Sequence, residues 1–258
     1  MNNRHDIIIG NNPRIDFLGV NIDVLSMDQT VNLVETYILR KEPLHLIGVN
    51  ADKINEALRN GRLKNIINRC GVINADGASV VLASKFLNTP LPERVAGIDL
   101  MMRLIQLASD KGYSVYLVGA KPEIVKATAT ELKRTNRGLN ICGFRDGYFK
   151  EEEWDAFFYE LERASPDLVF VGITSPTKEY FIEYLQNKGS QTVFMGVGGS
   201  FDVISGSIKR APLWLQKLNL EWLYRVIQEP KRLGKRYFVG NFEFVKLVLK
   251  HKFRLGKQ

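Results

Sequence analysis

Cysteine and histidine are scarce in this chain of 258 residues, and their spacing argues against several kinds of site. Cys70 and Cys142 are the two cysteines, and neither belongs to a CxxC pair. The histidines, His5, His45 and His251, lie far apart in sequence. Without closely spaced cysteine or histidine ligands, the sequence predicts neither a disulfide framework nor a structural zinc site, and no metal centre of another kind.

Long apolar runs are also lacking. No segment approaches the ~18 to 20 apolar residues that cross a bilayer as a helix. Near the N-terminus, a short run of isoleucines is broken by Gly10 and Asn11, which makes it too short for the core of a signal peptide. We therefore predict a cytoplasmic protein that has reduced thiols and no membrane-spanning helix.

Several motifs of nucleotide and metal sites are absent as well. The chain has no GxxxxGKS/T loop, which argues against a P-loop ATPase, and no GxGxxG fingerprint, which argues against an NAD-dependent epimerase or dehydrogenase. It also has no GxSxG elbow, HExxH motif or DxD pair. Any catalysis is therefore expected to depend on residues outside these motifs.

Acidic residues are few in the last part of the chain. Residues 201–258 contain 13 Lys and Arg against 4 Asp and Glu, whereas the whole chain contains 36 against 28. The entire basic excess therefore belongs to the C-terminal segment. Such a concentration of positive charge predicts an anionic partner, either a nucleic acid or a lipid surface.

Five short β-rich runs organise the rest of the chain. Each run is apolar, ends in a glycine or a small polar residue, and leads into a helical pattern. This pattern is typical of buried parallel strands that feed helices, and it predicts an α/β, Rossmann-like, doubly wound and mainly parallel sheet. The five runs begin at residues 44, 71, 114, 167 and 192.

The residues before the first of these runs predict a hairpin and a capped helix. Residues 14–26 alternate in polarity as in a β-hairpin around Gly19. Ser26 and Gln29 form a capping box, which predicts a helix from Met27 to about residue 41.

The pattern changes near residue 208. Beyond it the sequence predicts helices alone, two of which are opened by Pro212 and Pro230. We therefore predict two parts, an α/β core over residues 1–207 and a basic helical appendage over residues 208–258.

Two charged residues in the predicted loops are candidates for chemistry. The carboxyl ends of parallel strands and the N-termini of the following helices meet at one edge of a sheet, so these loops are expected to share a crevice. Asp76, in NADG, suits a general base there, although a plain helix N-cap is the alternative. Arg94, in LPERVAGID, suits pairing with phosphate or carboxylate oxygens, with a solvated surface arginine as the alternative.

Further candidates for substrate binding lie in the other loops. Lys178 and Glu179 occupy the first turn of a helix, where the lysine would stand beside a diphosphate or a sugar carboxylate; an exposed charge pair is the alternative. Asp202, after a glycine-rich turn, suits a ribose or a base. The remaining candidates are small or amide residues of the strand-to-helix loops: Gly48, Asn50, Gly119, Gly198, Gly199 and Ser200.

The C-terminal segment interleaves aromatic residues with cations. Aromatic and basic residues at helical spacing are typical of a helix that lies on anionic lipid, and single-stranded nucleic acid would accept the same surface. An ordinary helical cap on the core is a third interpretation. The aliphatic residues Val245, Leu247, Val248 and Leu249 favour lipid, because nucleic-acid phosphates do not need them.

Four sequence blocks together resemble one known family. In order, they are NADG followed by LPERVAGIDL, then VGITSPTKEYFI, VGVGGSFDVISG, and KRAP followed by LNLEWLYRVIQEPKR. They are similar to the WecG/TagA/CpsF family, glycosyltransferase family 26, over about residues 20–237. The resemblance implies a metal-independent, inverting transfer of a sugar from a UDP-sugar to a polyprenyl-diphosphate-linked sugar acceptor. It places this step of cell-envelope polysaccharide biosynthesis peripherally on the inner face of the cell membrane, without a cofactor.

The resemblance also assigns residue roles. Asp76 matches the proposed catalytic base, Arg94 an active-site arginine, Asn50 a pocket asparagine and Asp202 an aspartate that contacts the nucleotide. Basic residues that are expected to cover the site and to reach the acceptor's diphosphate match Arg225, Arg232 and Lys235. Arg236, in the same basic segment, is a further candidate for contact with the acceptor or an anionic membrane surface.

Two departures from the family pattern leave the donor sugar open. Gly48 stands where members often have threonine, and Lys178 stands where they often have glutamine. N-acetylmannosamine, a uronic acid and glucose are therefore all candidate donor sugars, and the oligomeric state is left open too. The competing hypothesis is a Rossmann-like nucleotide-binding module with a nucleic-acid-binding tail; the transferase hypothesis predicts no nucleic-acid partner.

Overall fold

The computed structural model of the chain describes residues 12–255. Within that range, the side chains of Lys217, Arg232, Lys235, Arg236 and Leu255 are outside the description. No helix of the described part has both the length and the apolar character needed to cross a bilayer.

The described strands form a hairpin and a six-stranded sheet. The hairpin strands are β1 (Arg14–Phe17) and β2 (Val20–Asp23), and those of the sheet are β3 (Leu44–Val49), β4 (Val72–Ala75), β5 (Ser114–Gly119), β6 (Asn140–Arg145), β7 (Leu168–Gly172) and β8 (Val193–Gly196). The hairpin is antiparallel, and all neighbours in the sheet are parallel, in the order β4-β3-β8-β7-β5-β6. The predicted α/β, Rossmann-like class is confirmed.

Helices cover both faces of the sheet and form the C-terminal segment. They are α1 (Met27–Arg40), α2 (Ala51–Arg59), α3 (Gly61–Arg69), α4 (Ala78–Phe86), α5 (Gly97–Lys111), α6 (Pro122–Thr135), α7 (Trp154–Ala164), α8 (Thr177–Asn187), α9 (Ser200–Ile204), α10 (Leu213–Lys217), α11 (Glu221–Gln228) and α12 (Pro230–Leu255). The capping box of α1 is present as predicted, because Ser26 and Gln29 exchange hydrogen bonds. Pro212 and Pro230 open α10 and α12, also as predicted.

Alternate residues of the strands supply apolar cores on both faces of the sheet. Leu46 and Leu117 face a core that also contains residues of α1, α5 and α6. Ile47 and Val49 face a second core with α2 and α3, and Val169 faces a third with α7 and α8. Because both faces are covered, the interior strands are mostly apolar rather than alternating.

A crevice opens where the carboxyl ends of β3 and β8 lie side by side. The chain leaves β3 towards β4 at one edge of the sheet, whereas it leaves β8 into α9, which packs on α6. The two connections therefore diverge, and ligands of open α/β sheets bind at such a point of divergence.

The long helix α12 packs on α2 of the core. Asn55 donates a hydrogen bond of 2.8 Å to the main-chain oxygen of Gly240, and both residues are buried. Phe244 and Val248 of α12 are buried in the same core as α2 and α3. The division at residue 207 stays a prediction, but one face of the appendage completes a core of the α/β part.

Candidate active site

A cavity of about 460 Å³ lies at the carboxyl end of the sheet, between the core and the appendage. The core contributes the loops after β3, β4 and β8 together with the N-terminus of α5. The appendage contributes α11, the residues before it and one face of α12. The predicted site residues that line this cavity are Asn50, Asp76, Arg94, Gly198, Gly199, Ser200 and Arg225.

The carboxylate of Asp76 is fixed at the N-terminus of α5. Asp76 follows β4 directly, and its main-chain N–H donates to the oxygen of Val49 at 2.9 Å. The N–H of Gly97 donates to Asp76 Oδ1 at 2.9 Å, so a helix terminus stabilises the negative charge. Asp76 Oδ2 has no hydrogen bond to the described residues. One oxygen therefore orients the carboxylate, and the other is available to a ligand.

Gly48 lies directly beneath the side chain of Asp76. A Cβ atom on Gly48 would stand 3.0 Å from the Cβ of Asp76. Any side chain at position 48 would therefore press on the carboxylate. Gly48 does not line the cavity, but its lack of a side chain leaves room for Asp76, which does line it.

Arg94 is held beside the same loop. Its Nε donates to the main-chain oxygen of Asp76 at 2.7 Å, and its Nη2 donates to Oε2 of Glu221 at 3.2 Å. Arg94 is thus not a solvated surface arginine: its side chain is three-quarters buried, and an acid of the appendage contacts it.

The glycine-rich turn after β8 brings Arg225 to the cavity. Arg225 Nη2 donates to the oxygen of Gly199 at 3.3 Å, and a Cβ atom on Gly199 would stand 3.2 Å from that nitrogen and 3.4 Å from Asp202 Oδ2. Nothing lies within 4 Å of the corresponding position on Gly198. Small residues therefore let the guanidinium approach the turn. Asp202 stands behind the turn rather than in the cavity lining.

Asn50 has the structural role of a helix cap and also lines the cavity. Its Oδ1 accepts a hydrogen bond of 3.0 Å from the N–H of Lys53, in the first turn of α2. A Cβ atom on Gly77 would stand 3.0 Å from the Cβ of Asn50, so the loops after β3 and β4 pack closely.

Lys178 and Glu179 lie in the interior beside the cavity rather than in its lining. Lys178 Nζ donates to the main-chain oxygen of Val197 at 3.1 Å, and the buried Glu179 forms an ion pair with Lys53. Burial lowers the pKa of Lys178 to about 8, with a further contribution from Lys53. Burial would raise the pKa of Glu179, but Lys178 and Lys53 outweigh it and hold that pKa at about 2. These residues are not the exposed pair of the alternative interpretation, and their role in binding stays a prediction.

Gly119 lies away from the cavity. Its φ is 135°, and a Cβ atom there would overlap the main chain of Gly172 on β7. The residue is needed for the close approach of two strands. The fold thus brings together the loops after β3, β4 and β8, and it leaves the loop after β5 aside.

The basic residues of the appendage are described in part. Arg225 lines the cavity, whereas the side chains of Arg232, Lys235 and Arg236 lie outside the described residues. The structure adds cavity residues that were not predicted to line the site: Glu221, Trp222, Tyr237 and Asn241. A signal for Glu221 existed, since it is one of 4 acids among the 13 cations of residues 201–258.

Side chains that could bind a metal ion do not come together in the described part of the chain. Among residues 12–255, no group of three or more His, Cys, Asp and Glu side chains is arranged to hold a metal ion.

Comparison with known proteins identifies the family. The model of the glycosyl transferase WecG/TagA/CpsF family matches residues 15–258. A protein of Bacillus spizizenii is 34% identical over 220 residues, 85% of this chain and 84% of its own length. A protein of Staphylococcus aureus strain MW2 is 32% identical over 249 residues, 96% of this chain and 97% of its own. Both are named N-acetylglucosaminyldiphosphoundecaprenol N-acetyl-beta-D-mannosaminyltransferase. This chain therefore belongs to the WecG/TagA/CpsF family and is a glycosyltransferase.

Proposed function

We propose that the chain transfers a sugar from a UDP-sugar to a sugar carried on a polyprenyl diphosphate, with inversion at the anomeric carbon. The observation that supports it most is the arrangement in one cavity of Asp76, held at the N-terminus of α5, with Arg94 and Arg225. The relatives' names specify a diphosphoundecaprenol-linked acceptor, which supports the acceptor half of the proposal.

In the proposed reaction, Asp76 is the general base. Its free Oδ2 takes the proton of the acceptor hydroxyl while that oxygen attacks the anomeric carbon. The bond from this carbon to the diphosphate oxygen breaks, and UDP leaves with the bonding electrons. The new glycosidic bond forms on the opposite face of the sugar, which inverts the configuration.

Arg225 is the cation best placed for the departing diphosphate. Its hydrogen bond to Gly199 goes to a main-chain oxygen rather than to a carboxylate, so that partner does not neutralise the charge of the guanidinium. The open space at Gly198 lets the diphosphate reach the turn. Fixed positive groups of this kind stabilise the charge that develops on a leaving group, which is the basis for proposing a reaction without a metal ion.

The identity of the donor sugar is the most specific part of the proposal. The relatives' names specify N-acetylmannosamine. Gly48 and Lys178, however, stand where the resemblance leads us to expect threonine and glutamine. We therefore propose a UDP-hexose donor and test three: UDP-N-acetylmannosamine, its uronic acid and UDP-glucose. UDP release with a short-chain lipid-diphosphate sugar identifies the donor.

The appendage is proposed to dock on an anionic membrane, where the acceptor resides. Residues at helical spacing on α12 are exposed and apolar, and we call them the apolar stripe: Phe238, Phe242, Val245, Leu249 and Phe253. Lys246 and Lys250 flank the apolar stripe. Val245 also lines the cavity, so the apolar stripe is continuous with the active site. An apolar face with flanking lysines suits the interface of an anionic bilayer.

The test of the reaction is substitution of the base. Asp76→Asn keeps the size of the side chain but removes its ability to take a proton, so we expect kcat to fall by ~10²- to 10⁴-fold. The matched control is Asp110→Asn, an exposed carboxylate near the other end of α5, which should keep wild-type turnover. Near wild-type UDP release by folded Asp76→Asn would exclude Asp76 as the base.

A further inference from the structure

Glu221 stands out as an acid in a cavity proposed to bind anions. It begins α11, its side chain is 13% exposed, and it contacts arginines from two parts of the chain. Its Oε2 accepts from Arg94 at 3.2 Å, and its Oε1 accepts from Arg210 at 3.2 Å. A carboxylate here reduces the positive potential available to a diphosphate, so its presence requires another reason.

The contacts of Glu221 belong to a closed ring. Arg210 also donates to Asp99 Oδ1 at 2.6 Å, and Asp99 lies in the first turn of α5, two residues after Gly97. Gly97 in turn holds the carboxylate of Asp76, and Arg94 holds the main chain of Asp76. We call this circuit the ring: Asp76, Arg94, Glu221, Arg210, Asp99 and Gly97.

The ion pairs of the ring match two positive charges with two negative ones. Two arginines face the carboxylates of Asp99 and Glu221, and each arginine is about three-quarters buried. Burial lowers the pKa of Arg210, but its hydrogen bond to Asp99 and the charges of Asp99 and Glu221 raise that pKa by more. An arginine held in this way has lost its rotamer freedom before substrate arrives, which favours catalysis through preorganisation.

We propose that Glu221 is a positioning residue: by joining Arg94 to Arg210 it keeps the appendage closed over the cavity and fixes the loop that carries Asp76. This inference rests on the proposed transferase function. Glu221 acts through Arg94 and does not itself contact the reacting atoms. It sets the geometry of the base loop and the position of α11, which also carries Arg225.

The test breaks the ring from each side. Glu221→Gln removes the charge with almost no change in shape, and Arg210→Gln removes its partner. The control is Glu243→Gln, which breaks another ion pair between appendage and core, with Arg59 at 2.9 Å, on the exposed side of α12. Such exposed pairs contribute little to stability. The measurements are kcat and KM for the UDP-sugar, and amide hydrogen exchange over α11 and residues 206–220.

We expect Glu221→Gln to lower kcat tenfold or more, to change the KM for the UDP-sugar less than threefold, and to speed exchange in α11 at least tenfold. Glu243→Gln should match the wild type in all three. Because Glu221→Gln and Arg210→Gln break one ring, the double variant should be little worse than either single variant. If Glu221→Gln fails to fold, Arg210→Gln still opens the ring, at the links of Arg210 to Glu221 and Asp99, and is compared with the wild type by the same three measurements.

Two results would overturn the inference. One is a folded ring variant whose kcat and exchange both stay within twofold of the wild type. The other is a double variant whose loss in kcat equals the product of the two single losses, because the residues would then act independently. The proposed function fails separately, if the wild type releases no UDP from any donor. In that case, amide hydrogen exchange still decides whether Glu221 keeps the appendage closed over the cavity.

Discussion

His45 is a buried histidine on β3 in a group of buried charges. It is 5% exposed, and its neighbours include Lys53 and Lys178 from α2 and α8, with Glu179 as their counter-charge. Its Nε2 has no hydrogen-bond partner in the described part of the chain. Burial lowers the pKa of His45 to about 4, against the opposing effect of Glu179. The folded protein therefore keeps the imidazole of His45 neutral well below the usual pKa of histidine.

This pKa difference predicts how stability depends on pH. Between pH 6.5 and about 4 the unfolded chain binds a proton at His45 that the folded chain does not. The stabilisation that depends on neutral His45 is therefore complete above pH 6.5. The free energy of unfolding decreases by about 3 kcal/mol as the pH falls from 6.5 through about 4. His45→Leu should remove this part of the decrease, as measured by urea unfolding at several pH values.

Neighbouring groups titrate in other pH ranges. Stabilisation by Glu179, whose pKa is lowered from its usual 4.5 to about 2, is lost as the pH falls from about 4.5 through 2, mostly below the range of His45. The pKa of Lys178, about 8, places its effect above neutral pH. The control is His251→Gln on α12, which should keep the decrease between pH 6.5 and 4. An unchanged decrease in His45→Leu would show that other groups produce it.

The local sequence predicted those cavity residues whose position is fixed by the end of a strand or the start of a helix. Asp76 directly follows a buried strand and precedes a helix, so its place at the sheet edge follows from the pattern, and the structure places Arg94 beside it. Lys178 sits at a similar helix start, yet its ammonium turns to the oxygen of Val197 in the interior. That direction depends on how α8 packs against β8, which single-sequence patterns do not contain.

At the scale of elements, β5 and β7 approach so closely that Gly119 has a structural role. Its φ of 135° lies in a region that other residues rarely adopt, and a Cβ atom would overlap Gly172. Gly119→Ala should therefore lower the free energy of unfolding by about 2–5 kcal/mol, from backbone strain and overpacking. Chemical denaturation measures this loss.

Substitution of a second glycine, Gly112, measures the effect of backbone strain without a steric overlap. Gly112 ends α5 with a φ of 75°, and nothing lies within 4 Å of the position of its Cβ. Gly112→Ala should lower the free energy of unfolding by about 1–2 kcal/mol, from the left-handed backbone alone. Equal losses in the two variants would show that the approach of Gly172 adds nothing. A raised KM in a stable Gly119→Ala protein would instead support the substrate-binding role.

The hairpin, the capped helix and the five buried strands were predictable because each has a local signal. The strand β6 was not predicted, since its burial is incomplete and NICGFR lacks the apolar run of an interior strand. The break between α2 and α3 was also missed: Asn60 ends one helix and caps the next within a continuous apolar spacing. Strand order depends on long-range pairing and could not be read from the sequence.

At the scale of the whole molecule, α12 carries apolar residues on two sides. One side contains Phe244 and Val248 and completes the core with α2. The other is the apolar stripe, where Phe238 is 82% and Phe253 is 69% exposed. Deleting the appendage would uncover the core, so docking on a membrane is better tested by substitutions within the apolar stripe.

We predict that Phe238→Gln with Phe253→Gln weakens binding to vesicles of equal phosphatidylglycerol and phosphatidylcholine by tenfold or more. Each phenylalanine contributes about 1.5–3 kcal/mol when it leaves water, and each nearby lysine about 1 kcal/mol on an anionic surface. Cosedimentation measures binding, and vesicles of phosphatidylcholine alone should bind the wild type more weakly. Turnover of a soluble short-chain acceptor should stay within threefold of the wild type.

The control for this variant is Tyr159→Gln, an exposed aromatic residue on α7 of the core. It should bind vesicles as the wild type does, because α7 lies outside the surface formed by the appendage. If the apolar stripe docks the enzyme, the double variant should lose turnover with acceptor embedded in anionic vesicles while it keeps turnover in solution, since the cavity is unchanged. Equal vesicle binding by the double variant, Tyr159→Gln and the wild type would exclude the apolar stripe as the docking surface.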